Sequence, residues 1–208
     1  MLQTQTVEPG TLSLLKKLCQ LPCLQGFALV GGTALSLKHG HRLSVDLDLF
    51  STSKFEYEEV IQCLQNEFGN DFLVEDKPAR FGIFCYIENV KVDLVRHPHP
   101  LLGQVETLED IRFFSDRDIM AMKIQAILGR GKKKDFWDIA ELLKQYSVAD
   151  FIQNHKEKYS TQNLLISIPQ VMVYFEDAEE DEDPVSLKGQ TWSSVKKAIT
   201  KKVAAHLR

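Results

Sequence analysis

Apolar and polar positions change rhythm several times along these 208 residues. Leu14, Leu15, Leu18 and Leu21 recur at helical spacing behind Thr11 and Ser13, which predicts a first helix over about residues 11–20. Phe27-Ala-Leu-Val30 is a short apolar run of strand character that leads into Gly31-Gly32-Thr33, and Ala34 to His39 resumes as a helix. From Leu43 to Leu49 the alternation is strict, so Leu43, Val45, Leu47 and Leu49 are expected on one face of a strand and Ser44, Asp46 and Asp48 on the other. Two carboxylates then project side by side.

Ser53 and Glu56 have capping-box spacing ahead of a stripe of Tyr57, Val60, Ile61, Leu64 and Phe68, the pattern of an amphipathic helix. Strands are expected over Phe72–Glu75, Phe81–Ile87 and Val90–Val95, the last two joined by Glu88-Asn89 as a hairpin. In the last of them Val90, Val92 and Leu94 share a face and Asp93 takes the other. Beyond about residue 107 the rhythm becomes helical. Ser115 with Asp118 opens one helix through Ile119, Met122, Lys123, Ala126 and Ile127; Gly129-Arg-Gly131 breaks it; a second, from about residue 134, turns Phe136, Ile139, Ala140 and Leu143 inward. Ser147 with Asp150 opens a third, and Trp192, Val195, Ile199 and Val203 mark the last. Glu176 to Asp183 reads as an exposed acidic loop. The fold class is α+β: a mixed sheet flanked by helices over residues 1–106, then a mainly helical region over residues 107–208.

Composition narrows the function classes. With 25 Lys and Arg against 29 Asp and Glu, the formal charge is -4, which excludes a protein that coats nucleic acid through an excess of basic side chains. A nucleic-acid substrate held on a local patch stays open. The opening MLQTQTVEPG lacks the layout of a signal peptide, and no apolar run approaches the ~18 residues of a membrane span, so the chain is expected in the cytoplasm with no membrane partner. Cys19, Cys23, Cys63 and Cys85 lie in otherwise apolar stretches and read as buried thiols. His39, His41, His97 and His99 lack the spacing of a zinc site and read as loop or surface residues.

The strongest chemical feature is Gly31-Gly32-Thr33 followed by Asp46-Leu-Asp48. A glycine pair at a strand-to-helix turn lets backbone approach a ligand, and the helix N-terminus can cradle phosphates. Carboxylates on the next strand can take Mg2+, which joins protein carboxylates to substrate phosphates. Asp93, on another alternating strand, would complete three acids at one sheet edge, a repulsive set unless a cation joins them. Lys123 lies on the inward stripe of its helix, where an ammonium needs a partner or a route to solvent. Arg130-Gly-Lys-Lys-Lys134 is a compact basic corner able to meet a phosphate-bearing acceptor.

Gly-Gly-Thr-Ala-Leu (31–35), Arg42-Leu-Ser-Val-Asp-Leu-Asp48, Lys-Val-Asp-Leu (91–94), Asp118 to Lys123 and Gly129 to Asp138 resemble, in order, the AbiEii/AbiGii-type nucleotidyltransferase toxin family of the DNA polymerase β-like superfamily. The resemblance continues through Tyr174 to Ala178 and Trp192. It implies a nucleotidyltransferase core followed by a helical region that completes the active-site cleft. Mg2+, two ions during turnover, would be held by Asp46, Asp48 and Asp93. Gly31, Gly32, Thr33, Arg42, Ser44 and Lys123 would bind the nucleotide, with Asp135 as a further catalytic acid. Lys134 stands where many relatives carry arginine, keeping the charge and losing the bidentate fork. Asp138 shares the cleft or supports Lys134. The expected reaction moves an NMP from an NTP to an acceptor hydroxyl with release of pyrophosphate. An RNA or tRNA 3′ end is the expected acceptor and an antitoxin the expected partner. The rival readings are an antibiotic (aminoglycoside-like) nucleotidyltransferase and a nucleotide-binding module without turnover.

Overall fold

The computed structural model describes residues 1–74 and 81–208. Among them a seven-stranded mixed sheet runs in the order β3-β4-β5-β2-β1-β7-β6. In chain order the strands are β1 (Ala28–Leu29), β2 (Leu47–Ser51), β3 (Phe72–Val74), β4 (Gly82–Ile87), β5 (Val90–Arg96), β6 (Glu106–Leu108) and β7 (Ile111–Phe113). The helices are α1 (Pro9–Gln20), α2 (Gly31–His39), α3 (Tyr57–Phe68), α4 (Asp116–Gly129), α5 (Lys133–Leu142), α6 (Val148–Lys158), α7 (Ile168–Met172) and α8 (Trp192–His206). β2 pairs in parallel with β5, and β1 with β7. The α+β expectation holds, and none of the described helices is long and apolar enough to cross a membrane.

Period-two alternation sorts the central strands. Leu47 and Leu49 of β2, Val92 and Leu94 of β5, and Ile83 and Cys85 of β4 lie opposite one another in register, and all are buried. Asp48, Asp93 and Phe84 necessarily take the other face. The expected cap of α4 is present, with Ser115 Oγ accepting from the Asp118 amide, and α6 opens with the Ser147–Asp150 capping box. Glu88 and Asn89 both adopt positive φ in the β4–β5 turn, as a tight hairpin requires.

Several expectations are corrected. The strand expected over residues 43–49 begins only at Leu47, because the Leu43 amide donates to the Val185 carbonyl and the Ser44 amide to Thr6, drawing this segment away from the sheet. Leu43 and Val45 are consequently exposed. Ser53 and Glu56 form no capping box; Glu56 is the N-cap of α3 without a side-chain cap bond. Residues 107–113, expected to begin the mainly helical region, belong instead to the β6–β7 hairpin, whose turn places Glu109 and Asp110 at positive φ without a glycine to announce it. Glu75, the expected end of β3, lies outside the described residues.

The reading of four buried thiols is also corrected. Cys23 and Cys63 form a disulfide, because the packing of α3 brings Cys63 against the turn at Pro22–Leu24; Cys19 and Cys85 are the buried free thiols. His41 and His97, expected at the surface, are buried.

Candidate active site

α2 starts without a side-chain cap at Val30, so its first backbone amides are open to a ligand. Gly31 has φ +71°, and a Cβ there would stand 2.5 Å from Asp48 Oδ2. A Cβ on Gly32 would collide with the Arg42 guanidinium. The glycine pair is therefore required by the close approach of two site side chains. The Thr33 hydroxyl donates to the Asp46 carbonyl and lies 2.8 Å from Ser44 Oγ, pinning the segment that delivers Asp46.

Together with Asp48 and Asp93 these residues line a polar cavity of about 280 Å3, which Lys123, Arg130, Lys132 and Lys134 also reach. Asp48 and Asp93 are register partners on the parallel β2–β5 pair. Burial first, and then the neighbouring Asp93 carboxylate, raise the Asp48 carboxyl above its ordinary range, with Lys123 pulling the other way. Lys91 Nζ lies 3.2 Å from Asp93 Oδ2, and Lys134 Nζ lies 3.6 Å from Asp46 Oδ2.

The helical wall is built differently. Asp135 and Asp138 stand three residues apart on α5 and are fully buried. Lys123 Nζ reaches Asp135 Oδ1 at 2.9 Å and Asp138 Oδ2 at 2.5 Å. Arg42 grips Asp138 with a fork, Nε to Oδ1 at 2.8 Å and Nη2 to Oδ2 at 3.0 Å, and His41 Nε2 donates to Oδ1 at 2.7 Å. Arg130 forms a second fork on Asp135. Burial opposes ionisation, yet Arg42 and Lys123 hold Asp138 well below the ordinary range, and Lys123 with Arg130 holds Asp135 below it. Burial keeps His41 neutral-leaning, its pKa lowered. Three cations against two carboxylates leave a positive excess facing the cavity.

All the nucleotide and metal residues expected from sequence thus line one cavity, and Asp135 supports it from behind through Lys123. Asp138 belongs to the Arg42–Lys123 network. Lys91 and His41 join the site without having been expected there, and Arg130 and Lys132 join it from the basic corner expected to meet an acceptor. Nothing local announces that His41 and Asp138 meet.

Asp46, Asp48 and Asp93 offer the hard oxygen donors that Mg2+ prefers. Among the described residues no three acidic, histidine or cysteine side chains are gathered closely enough to hold an ion as they stand. The adjacent Asp48 and Asp93 carboxylates nevertheless repel one another inside a partly buried cavity, a conflict that a divalent cation relieves, and it is this pair, with Asp46 at the cavity's edge, whose chemistry fits one.

Paired carboxylates on a mixed sheet, a glycine turn into a helix, and a helical wall carrying cations define a nucleotidyltransferase, and known structures share the fold. JHP933 from Helicobacter pylori matches with a TM-score of 0.56 at 18% identity, over 96% of this chain and 92% of that one. MenT4, a nucleotidyltransferase toxin from Mycobacterium tuberculosis H37Rv, matches with a TM-score of 0.56 at 14% identity, over 92% of this chain and 82% of that one. In sequence, the chain is 30% identical over 203 residues to an uncharacterized protein of Aquifex aeolicus (strain VF5), covering 93% of this chain and 94% of its relative. Residues 13–205 match the model of the nucleotidyl transferase AbiEii toxin of type IV toxin–antitoxin systems. The chain belongs to the AbiEii nucleotidyltransferase toxin family, in agreement with its motifs. Membership implies a nucleotide substrate and an antitoxin partner.

Proposed function

We propose that this chain transfers an NMP from an NTP to a hydroxyl at an RNA 3′ end, tRNA included, using Mg2+ held by Asp46, Asp48 and Asp93. The observation that supports this most directly is the polar cavity itself, in which Asp48, its carboxyl raised by burial and by the neighbouring Asp93, faces an over-compensated cationic wall. A triphosphate with its metal matches both charges.

The Gly31 to Thr33 amides at the start of α2, with Ser44, Lys132 and Lys134, cradle the β- and γ-phosphates. Bound Mg2+ supplies Lewis-acid polarisation of the α-phosphoryl group and neutralises the leaving pyrophosphate. Asp93 takes the proton from the acceptor hydroxyl as its oxygen bonds to the α-phosphorus and the bond to the bridging oxygen breaks. Lys123 and Arg42 offset charge that develops on the leaving group, and Asp135 and Asp138 fix their positions. The rim of Lys91, Arg130, Lys132 and Lys134 suits a polyanionic acceptor and repels a polycation such as an aminoglycoside.

Incubation with α-labelled NTPs, Mg2+ and either total tRNA or aminoglycosides tests the proposal. Label is expected on RNA, and expected to vanish in Asp48→Asn. Label on the aminoglycoside instead establishes the rival enzyme; nucleotide binding without transfer to any acceptor establishes the module without turnover.

A further inference from the structure

The sheet face that carries the carboxylates continues into a second cavity of about 450 Å3, which meets the polar one at Gly31, Asp48, Asp93, Lys123 and Arg130. Its character is opposite. Phe50, Phe81, Phe84, Met122, Tyr159 and His97 line it. Phe84 is the register partner of Asp93 on the antiparallel β4–β5 pair, so two carboxylates and a flat ring stand in one row across three strands. Phe81 meets Phe84 edge-on at 5.7 Å and is largely exposed at 57%, leaving aromatic surface turned toward solvent.

His97 supplies the second, independent observation. Its side chain is 7% exposed, it lines this cavity, and its Nε2 has no hydrogen-bond partner among the described residues. A buried polar nitrogen without a partner is costly unless something fills the place. Burial, with Lys158 and His99 adding to it, lowers its pKa to about 3, so at neutral pH the ring is uncharged and can offer either a donor or an acceptor. Flat apolar walls and one buried heteroaromatic hydrogen-bonding group match a flat heterocycle with polar edges.

We propose that this cleft is a nucleobase site, in which Phe84 and Phe81 provide the stacking surface and His97 reads the polar edge of the base. The proposal rests on the phosphate reading of the polar cavity, because that reading places the reacting phosphorus at Asp48 and Asp93, on the shared border of the two cavities. The base has two sources of the same chemistry: the incoming nucleotide, or the last residue of the acceptor. In-line displacement puts the attacking hydroxyl opposite the departing pyrophosphate, and the cleft shares Asp48 and Asp93 with the cavity that holds the phosphate cradle, so a base from either source would lie beside the reacting groups.

Calorimetric titration of the full chain with tripolyphosphate, with each of the four NTPs, and with a short RNA bearing a free 3′ hydroxyl tests the assignment. The variants are Phe84→Ala, Phe84→Leu, which keeps apolar bulk while removing the flat ring, and His97→Gln; thermal melts verify that each is folded. Phe84→Leu is expected to weaken one nucleobase-bearing ligand by roughly 5- to 150-fold, the scale of a missing base stack, and to leave tripolyphosphate unchanged. Weakened NTP binding assigns the cleft to the incoming base; weakened RNA binding assigns it to the acceptor. His97→Gln is expected to change the order of preference among the four bases in that same arm. Unchanged NTP and RNA affinities in the folded Phe84 variants overturn the nucleobase site, and an unchanged order of bases in His97→Gln overturns the reading role. If tripolyphosphate fails to bind the wild type, the phosphate reading falls separately, and free nucleosides then decide the cleft by the same comparison.

Discussion

On the helical wall of the cavity, Asp135 and Asp138 are gripped by Arg42, Lys123, Arg130 and His41, and their protons are held off despite burial. On the sheet wall, Asp48 faces Asp93 across the β2–β5 pair, and its proton affinity is raised. The helical wall buries its carboxylates fully and the sheet wall half-buries its own, and because desolvation acts the same way on all of them it does not by itself set which way their proton affinity moves. The sign of the local charge balance does. Under the proposed reaction, a carboxylate with its cations already in place serves positioning, whereas Asp48, whose neighbour is another carboxylate, is set for a metal cation.

The largest expected effect breaks the helical wall. Asp138→Ala strands the Arg42 fork, Lys123 and His41 in a site where none has an alternative acid of equal reach except Asp135 for Lys123. Removing one member of a buried ionic network costs about 3–5 kcal/mol, to be read by denaturant unfolding. The pH dependence follows from the depressed folded pKa: Asp138 contributes full stability above the ordinary carboxylate value of about 3.9 and loses it as pH falls through the lower folded value. The stability gap between wild type and Asp138→Ala is therefore expected to narrow only in strong acid. A gap independent of pH down to that range and below would contradict the paired-acid reading.

Breaking the sheet wall is expected to have the opposite sign. Asp48 has a raised folded pKa, so its penalty to stability is absent in acid and grows as pH rises from the ordinary carboxylate value through the folded one. Asp48→Asn should raise stability at neutral pH by about 0.5–2 kcal/mol, the usual gain from relieving a functional conflict, while reducing transfer by at least about a hundredfold. Mg2+ sharpens the contrast: at about a hundredfold excess over its Kd it is expected to stabilise the wild type by about 2.7 kcal/mol and Asp48→Asn by far less. Equal stabilisation of the two by Mg2+ would remove Asp48 from the metal set.

Legibility in the sequence follows the same division. The sheet wall is readable because alternation fixes which side of a strand a residue takes: it puts Asp48 and Asp93 on the polar faces of their strands, and the register then makes them neighbours. Half of the helical wall is readable, since Asp135 and Asp138 are three residues apart on a helix. What holds them is not. His41 and Arg42 meet Asp138 across 97 and 96 residues, and the short-range pattern around His39-Gly-His41 looks like an ordinary polar turn. The Cys23–Cys63 disulfide, spanning 40 residues, and the β6–β7 hairpin, with Glu109-Asp110 in place of a glycine turn, are hidden for related reasons. One is a product of tertiary packing, and the other is a local conformation the side chains do not advertise.

The smallest expected effect concerns Asp46, which sits at the outer edge of the sheet wall, half-exposed, with Lys134 Nζ at 3.6 Å. An exposed pair at that distance is worth about 0–1 kcal/mol, so Lys134→Ala should leave stability nearly unchanged. If Lys134 serves the phosphate-bearing ligands, the same substitution weakens binding of RNA and NTP together and lowers the salt slope of RNA binding by about 1, the share of a single neutralised phosphate. Titrations at several salt concentrations measure that slope directly. A Lys134→Ala chain with an unaltered slope would make Lys134 merely a surface partner of Asp46, and the cationic side of the comparison would then end at the buried Arg42 and Lys123 and the exposed Arg130 that joins them on Asp135.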